Sequence, residues 1–174
     1  MIIINFLITI PLIFAFFLQA EPLQPNRKIY SCINNKIANE IEELFGFECI
    51  GMTTGGVDSL KVLGLEFNVK SELLIDEARK LLIRVSQYYQ RRINEHAEIS
   101  EYSDYFPLNF NSLQIVLYFQ NPQNNDIFEP FVTISSLKNN KIDYYYDNVE
   151  SKPNFSKIIQ ETYAEALEKV NKQK

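Results

Sequence analysis

Hydrophobic residues recur at helical spacing in three stretches and alternate with polar ones in a fourth. Ile33, Ile37, Ile41, Leu44 and Phe45 share one helical face, with Asn39, Glu40, Glu42 and Glu43 on the other. This spacing predicts a helix over 35–45, with Gly46 as its C′ stop. Residues 62–70 alternate: Leu63, Leu65, Phe67 and Val69 face one way, Gly64, Glu66, Asn68 and Lys70 the other. Period two means a half-buried strand. Leu74, Ala78, Leu81, Leu82, Val85 and Tyr89 form the stripe of a helix over 71–94, with Ser71 as candidate N-cap. Leu113–Phe119 reads as a more fully buried strand and Phe131–Leu137 as another. Asn139-Asn140 can turn with positive φ into a hairpin partner, Ile142–Asp147. After Pro153, a helix is expected over 156–172, burying Ile159, Tyr163, Ala166, Leu167 and Val170. Glu165–Lys169 and Glu168–Lys172 are favourable i,i+4 pairs on its outside.

The order α-β-α-β-β-β-α predicts an α+β, two-layer domain. It has about four mainly antiparallel strands with helices packed on one face. Residues 21–34, with Pro22 and Pro25, read as an extended leader, and 35–174 as one α+β domain. All five glycines fall between positions 46 and 64. Within that span, 51–56 (GMTTGG) reads as a flexible connector. It lacks the spacing of a phosphate-binding loop, and a strand rather than a helix follows it.

Composition divides the chain. The 174 residues carry a net charge of −5, and 46% are hydrophobic. Residues 1–20 (MIIINFLITIPLIFAFFLQA) contain no charged residue, so the whole charge belongs to 21–174. A short apolar run ending in a small residue reads as a signal peptide, cleaved after Ala20. Leu18 at −3 and the missing n-region cations depart from the pattern. The alternative is an uncleaved anchor, which the short run and Pro11 disfavour. The destination is then secreted or periplasmic, with membrane contact only through the N-terminal segment if it stays attached. Lipidation at Cys32 is rejected, because the polar segment Glu21–Lys28 separates it from the apolar run. The acidic balance argues against nucleic-acid binding, which needs cations to displace counterions.

Cys32 and Cys49 are the only cysteines, and export makes them a candidate disulfide. A helix running from Cys32 to Phe45 spans about 20 Å. The return to Cys49 covers at most about 14 Å, which leaves a bridge barely within reach. A helix starting at Asn34 or Asn35 makes it easy, and two free thiols are the alternative.

Candidate chemistry is sparse. There is no G-x-S-x-G elbow, no H-E-x-x-H, no paired C-x-x-C and no cofactor motif. His96 is the only histidine, and a favourable place at a helix C-terminus accounts for it. Glu95, Glu98, Glu101 and Asp104 recur at threes and would share a face if the helix continued. Such a group could bind a cation or serve as a carboxylate pair, but a solvated acidic face is the simpler reading. Pro107 ends any continuing helix. Four arginines, Arg79, Arg84, Arg91 and Arg92, lie on one helix and form the only basic concentration. They could meet an acidic partner or anionic headgroups, or merely complement the helix dipole. Tyr144 and Tyr146 point one way from their strand and Tyr145 the other, which makes them candidate binding platforms. Asn154-Phe155-Ser156 is a glycosylation sequon.

The segments Glu77-Ala78-Arg79-Lys80-Leu81-Leu82, Ile93-Asn94-Glu95, Tyr105-Phe106-Pro107 and Glu161-Thr162-Tyr163-Ala164-Glu165-Ala166-Leu167, with Ile99 and Tyr102, carry a resemblance. The chain resembles a family of small uncharacterised exported proteins of chlamydia-like and other intracellular bacteria. The resemblance implies export and a single domain, and no catalytic residues. The expected function is a non-catalytic binding or envelope-assembly module with a protein or envelope component as partner. Its candidate contacts are Tyr144 and Tyr146 on the strand and Arg84, Arg91 and Arg92 on the helix. The alternative is a secreted hydrolase using the acids near 95–104, with or without a metal.

Overall fold

The computed structural model describes residues 25–55, 61–101, 103–123, 125–148, 155 and 157–173, with side chains from Lys28 onward. The signal segment 1–20, Gly56, Tyr102, and Asn154 and Ser156 of the sequon lie outside the described residues. Three helices and six strands form an α+β fold: α1 (Pro25–Phe45), β1 (Glu48–Gly55), β2 (Val62–Lys70), α2 (Ile75–Asn94), β3 (Leu113–Gln120), β4 (Ile134–Lys138), β5 (Lys141–Tyr146), β6 (Lys157–Thr162) and α3 (Tyr163–Lys172). A short 3-10 helix, Ala97–Glu101, follows α2. No described helix is long and apolar enough to cross a membrane.

The strands lie in the sheet in chain order. β2 and β3 are parallel and joined by α2, while every other neighbouring pair is antiparallel. The alternation in 62–70 puts Leu63, Leu65, Phe67 and Val69 on the inner face, and the parallel register sets Leu113, Ile115, Leu117 and Phe119 beside them. Leu137, Ile142 and Tyr144 continue that layer. The helices cover this face, with α2 across β3 and β4, α1 on one flank and α3 over β5 and β6.

Several sequence expectations change. The leader 21–34 is helical from Pro25 onward, because proline is tolerated in a helix's first turn, where its missing N–H costs nothing. The stripe Ile33, Ile37, Ile41 extends upstream to a buried Tyr30. Residues 51–55 are not a connector but most of edge strand β1. Glycine suits that pairing, since a Cβ on Gly51 would stand 3.3 Å from the Glu66 side chain. Residues 157–162 are strand, not helix. Helix α3 begins only after Thr162, whose Oγ1 accepts from Glu165 N–H at 3.2 Å while the Glu165 carboxylate accepts from Thr162 N–H at 2.7 Å. This capping box sets the helix start. The strand count is therefore six rather than about four.

Two local readings, a stop and a turn, hold, and the start of α2 does not. Gly46 at φ +72° ends α1, its N–H bonded to Glu42 O. Asn139 and Asn140, at φ 50° and 61°, make the β4–β5 turn. Helix α2 starts later than Ser71: Leu74 precedes it, and Glu77 accepts from Leu74 N–H at 3.1 Å. Leucine has no acceptor, so only this half of a capping box forms. Beyond α2, Asn94 exchanges hydrogen bonds with the backbone of Leu108, at 2.9 and 2.8 Å, as a strand neighbour would.

Cys32 and Cys49 are free thiols, Cys32 exposed on α1 and Cys49 half-buried on β1. The candidate disulfide fails because α1 runs unbroken through Cys32, which is the unfavourable branch of the length argument. Burial pushes the Cys49 thiol up, with Glu42 and Glu66 adding to the shift and a bond to Gly51 O opposing it.

Candidate functional site

From Ala78 to Asn94, α2 carries Arg79, Lys80, Arg84, Arg91 and Arg92 and no acid. Tertiary contacts divide these cations into two kinds. Arg79 is buried. Its Nε donates to Glu161 Oε1 at 2.6 Å, and its Nη1 pairs with Asp76. Glu161 faces inward from β6, opposite Ile142. It also accepts from the Tyr144 hydroxyl at 2.7 Å and from Lys169 Nζ at 2.5 Å. Burial pushes the Glu161 carboxyl up, but the bonds from Lys169, Arg79 and Tyr144 outweigh it and hold the group below its ordinary range. This cluster ties α2, β5, β6 and α3 together, with Arg79, Glu161 and Tyr144 buried and Asp76 and Lys169 at its open edge.

Arg92 is paired in a second network. Its Nε and Nη2 bond both oxygens of Glu40 on α1 at 2.7 Å, and Nη1 pairs with Glu95. The Arg92 bond holds the Glu40 carboxyl below its ordinary range against a smaller opposing effect of burial. Glu40 in turn accepts from the Tyr88 hydroxyl at 3.1 Å, which fixes that ring.

Arg84 and Arg91 remain. Both are exposed, and among the described residues neither has a carboxylate partner. Each guanidinium lies instead over an aromatic ring: Arg84 over Phe45 at 5.6 Å and Arg91 over Tyr88 at 5.3 Å. Such stacking holds the planar group by its face and leaves its N–H edges open. A groove of about 330 Å³ is lined by Phe45, Arg84, Gln87, Tyr88 and Arg91. A second, of about 620 Å³, shares Phe45 and Arg84 and continues past Lys80 and Leu81 to the start of α2. Of its acids, Asp76 is paired with Arg79, while Glu77 accepts from the neutral Leu74 N–H and keeps its charge. The basic, aromatic-floored part is therefore the Arg84–Arg91 end. The helix dipole accounts for Arg91 near the C-terminus but not for Lys80 or Arg84, which lie outside the last turn.

The other candidates are not gathered with it. Tyr144 and Tyr146 are 0% and 5% exposed, so neither ring is a surface platform. Their strand alternates as expected, but the side they share is the helix-covered one. Tyr145 faces out instead, against Phe155 at 4.9 Å and into a pocket of about 220 Å³ with Val116, Tyr118 and Ile134. The acids after α2 do not share one helical face, because the α-helix ends at Asn94. Glu95 pairs with Arg92, and His96 Nδ1 lies 3.0 Å from Glu98. Among the described residues no three His, Cys, Asp or Glu side chains converge to hold a metal ion.

Of the arginines named from the sequence, Arg84 and Arg91 line the groove, while Arg92 is paired with Glu40 and Glu95. Sequence reasoning missed Phe45 and Tyr88 as the floor, Lys80 as a third cation, and Glu161 altogether. The exposed cations sit at Lys80, Arg84 and Arg91, a spacing of four and seven that marks one side of a helix. Glu161 had a weaker signal: in Ile158–Thr162 it falls on the face that period two assigns to Ile159. Comparison with family models, curated proteins and solved structures finds no match to this chain.

Proposed function

We propose that this chain is a small, non-catalytic binding module, exported to the cell envelope or beyond it, that docks an acidic segment of a partner protein in the α2 groove. The observation carrying this reading is the pair Arg84 and Arg91, exposed, stacked on Phe45 and Tyr88, and without carboxylate partners among the described residues. Guanidiniums with open N–H edges accept carboxylates in bidentate geometry, and an aromatic floor adds apolar contact at low entropic cost. Export is supported by the uncharged apolar segment 1–20 and by the resemblance to small exported proteins.

The test is an NMR titration of the full chain, labelled at arginine Nε, with a Glu-rich peptide. The Arg84 and Arg91 signals shift, and those of Arg79 and Arg92 stay. The affinity falls as salt is raised from about 0.05 to 0.5 M, as screening of exposed charge requires. Unchanged Arg84 and Arg91 signals, or equal binding by an R84E/R91E variant, would refute the reading.

A further inference from the structure

We infer that the docked segment is itself a helix: an acidic amphipathic helix lying along Lys80, Arg84 and Arg91. This rests on the groove's being an acidic-protein site and adds the conformation of its ligand. The three cations share the exposed side of α2 at intervals of four and seven residues. At 1.5 Å per residue these are rises of about 6 and 10.5 Å. A second helix with acids at i, i+7 and i+11, running antiparallel, matches both intervals residue for residue. An extended strand presents same-side residues about every 6.8 Å. It can meet Lys80 and Arg84 but falls about 3 Å out of step at Arg91. Because Phe45 and Tyr88 hold the two guanidiniums by their faces, the spacing is not freely adjustable.

The apolar contacts fit the same partner. Phe45 lines both grooves, Tyr88 the smaller one, and the half-buried Leu81 the larger. An amphipathic helix places leucines three and four residues from its acids and so reaches these groups from one face. Antiparallel docking also opposes the two helix dipoles favourably. The start of the stripe favours a discrete segment over an anionic membrane. Glu77, whose carboxylate accepts from a neutral N–H, lies just before it. A continuous anionic surface would press on that acid, whereas a short helix can end short of it.

The experiment measures anisotropy of two fluorescent peptides of equal composition on the full-length chain. One is an Ala/Leu helix of about five turns with Glu at i, i+7 and i+11; the other is reordered around a central proline. The helical peptide is expected to bind at least tenfold more tightly and to gain helical circular dichroism. R84E/R91E is expected to lose at least tenfold, and the same peptide with Lys in place of Glu restores binding to it. That rescue shows that the variant is folded. Equal, arginine-dependent binding of both peptides overturns the helix while leaving the acidic-segment reading in place. Binding of neither peptide overturns both, and so does capture by phosphatidylglycerol vesicles alone.

Discussion

Arg79 and Arg84 stand five residues apart on one helix, and their surroundings give them opposite work. Arg79 is buried, its Nε bonded to Glu161, its Nη1 paired with Asp76 and its guanidinium over the Tyr144 ring. Arg84, with Arg91 two turns on, keeps its charge in water and rests only on an aromatic ring. A buried pair contributes little over an apolar pair, but breaking it strands a charge. An exposed arginine contributes little to folding and is free to bind. The same side chain therefore fixes the fold in one place and leaves chemistry available in the other.

The sharpest way to break this contrast is to remove Glu161. Glu161→Ala should cost about 3 kcal/mol of stability in urea unfolding, because buried Arg79 keeps only the exposed Asp76 and the buried Tyr144 hydroxyl loses its acceptor. Replacing both residues, Arg79→Met with Glu161→Leu, should recover most of the loss. A double variant as unstable as the single one would show that the cluster is more than a satisfied pair.

Acid should act on the same cluster. The folded Glu161 carboxyl lies below its ordinary value of 4.5, so its contribution is complete above that pH. It is lost as pH falls through the depressed folded value. Unfolding midpoints measured from pH 6 to pH 3 should fall more steeply in the wild type than in Glu161→Gln. Parallel curves would remove Glu161 from the account, with Glu40 the next group to test, since its carboxyl is held low as well.

A smaller effect is expected from Arg92→Ala. Its bidentate bond to Glu40 is about three-quarters buried, with both side chains 24% exposed. Its loss should cost about 1 kcal/mol by urea titration. The smallest belongs to Arg84→Ala and Arg91→Ala, each within about 0.5 kcal/mol of wild type. A larger change would mean that the groove arginines hold the fold after all.

Much of the fold was legible because local pattern decides it. The alternation at Leu63, Leu65, Phe67 and Val69, the Gly46 stop and the Asn139-Asn140 turn occur as read, and the α2 stripe does from Ala78 to Tyr89, with Leu81 half-buried and Leu74 exposed before the helix. The failures share a cause. Strand β1 has one neighbour and two glycines, so its pairing with β2, not its own composition, makes it a strand. Residues 157–162 follow Pro153 and precede a helix, and the helical spacing of Ile159 and Tyr163 runs through them. The Thr162–Glu165 capping box was the local cue that separates the two elements. Pro22 and Pro25 suggested an extended leader, although a proline in the first turn is compatible with α1.

The candidate site was half legible for the same reason. Sequence by itself determined that one helix would gather the cations of an acidic chain, because composition and a 3.6-residue period are local properties. Only the tertiary structure decided which cations would be neutralised. Glu161 reaches Arg79 from 82 residues away and Glu40 reaches Arg92 from 52. No local spacing encodes such meetings. They follow from the sheet register and helix packing that bring β6 and α1 to either side of α2, and the arginines they leave unmatched are the groove.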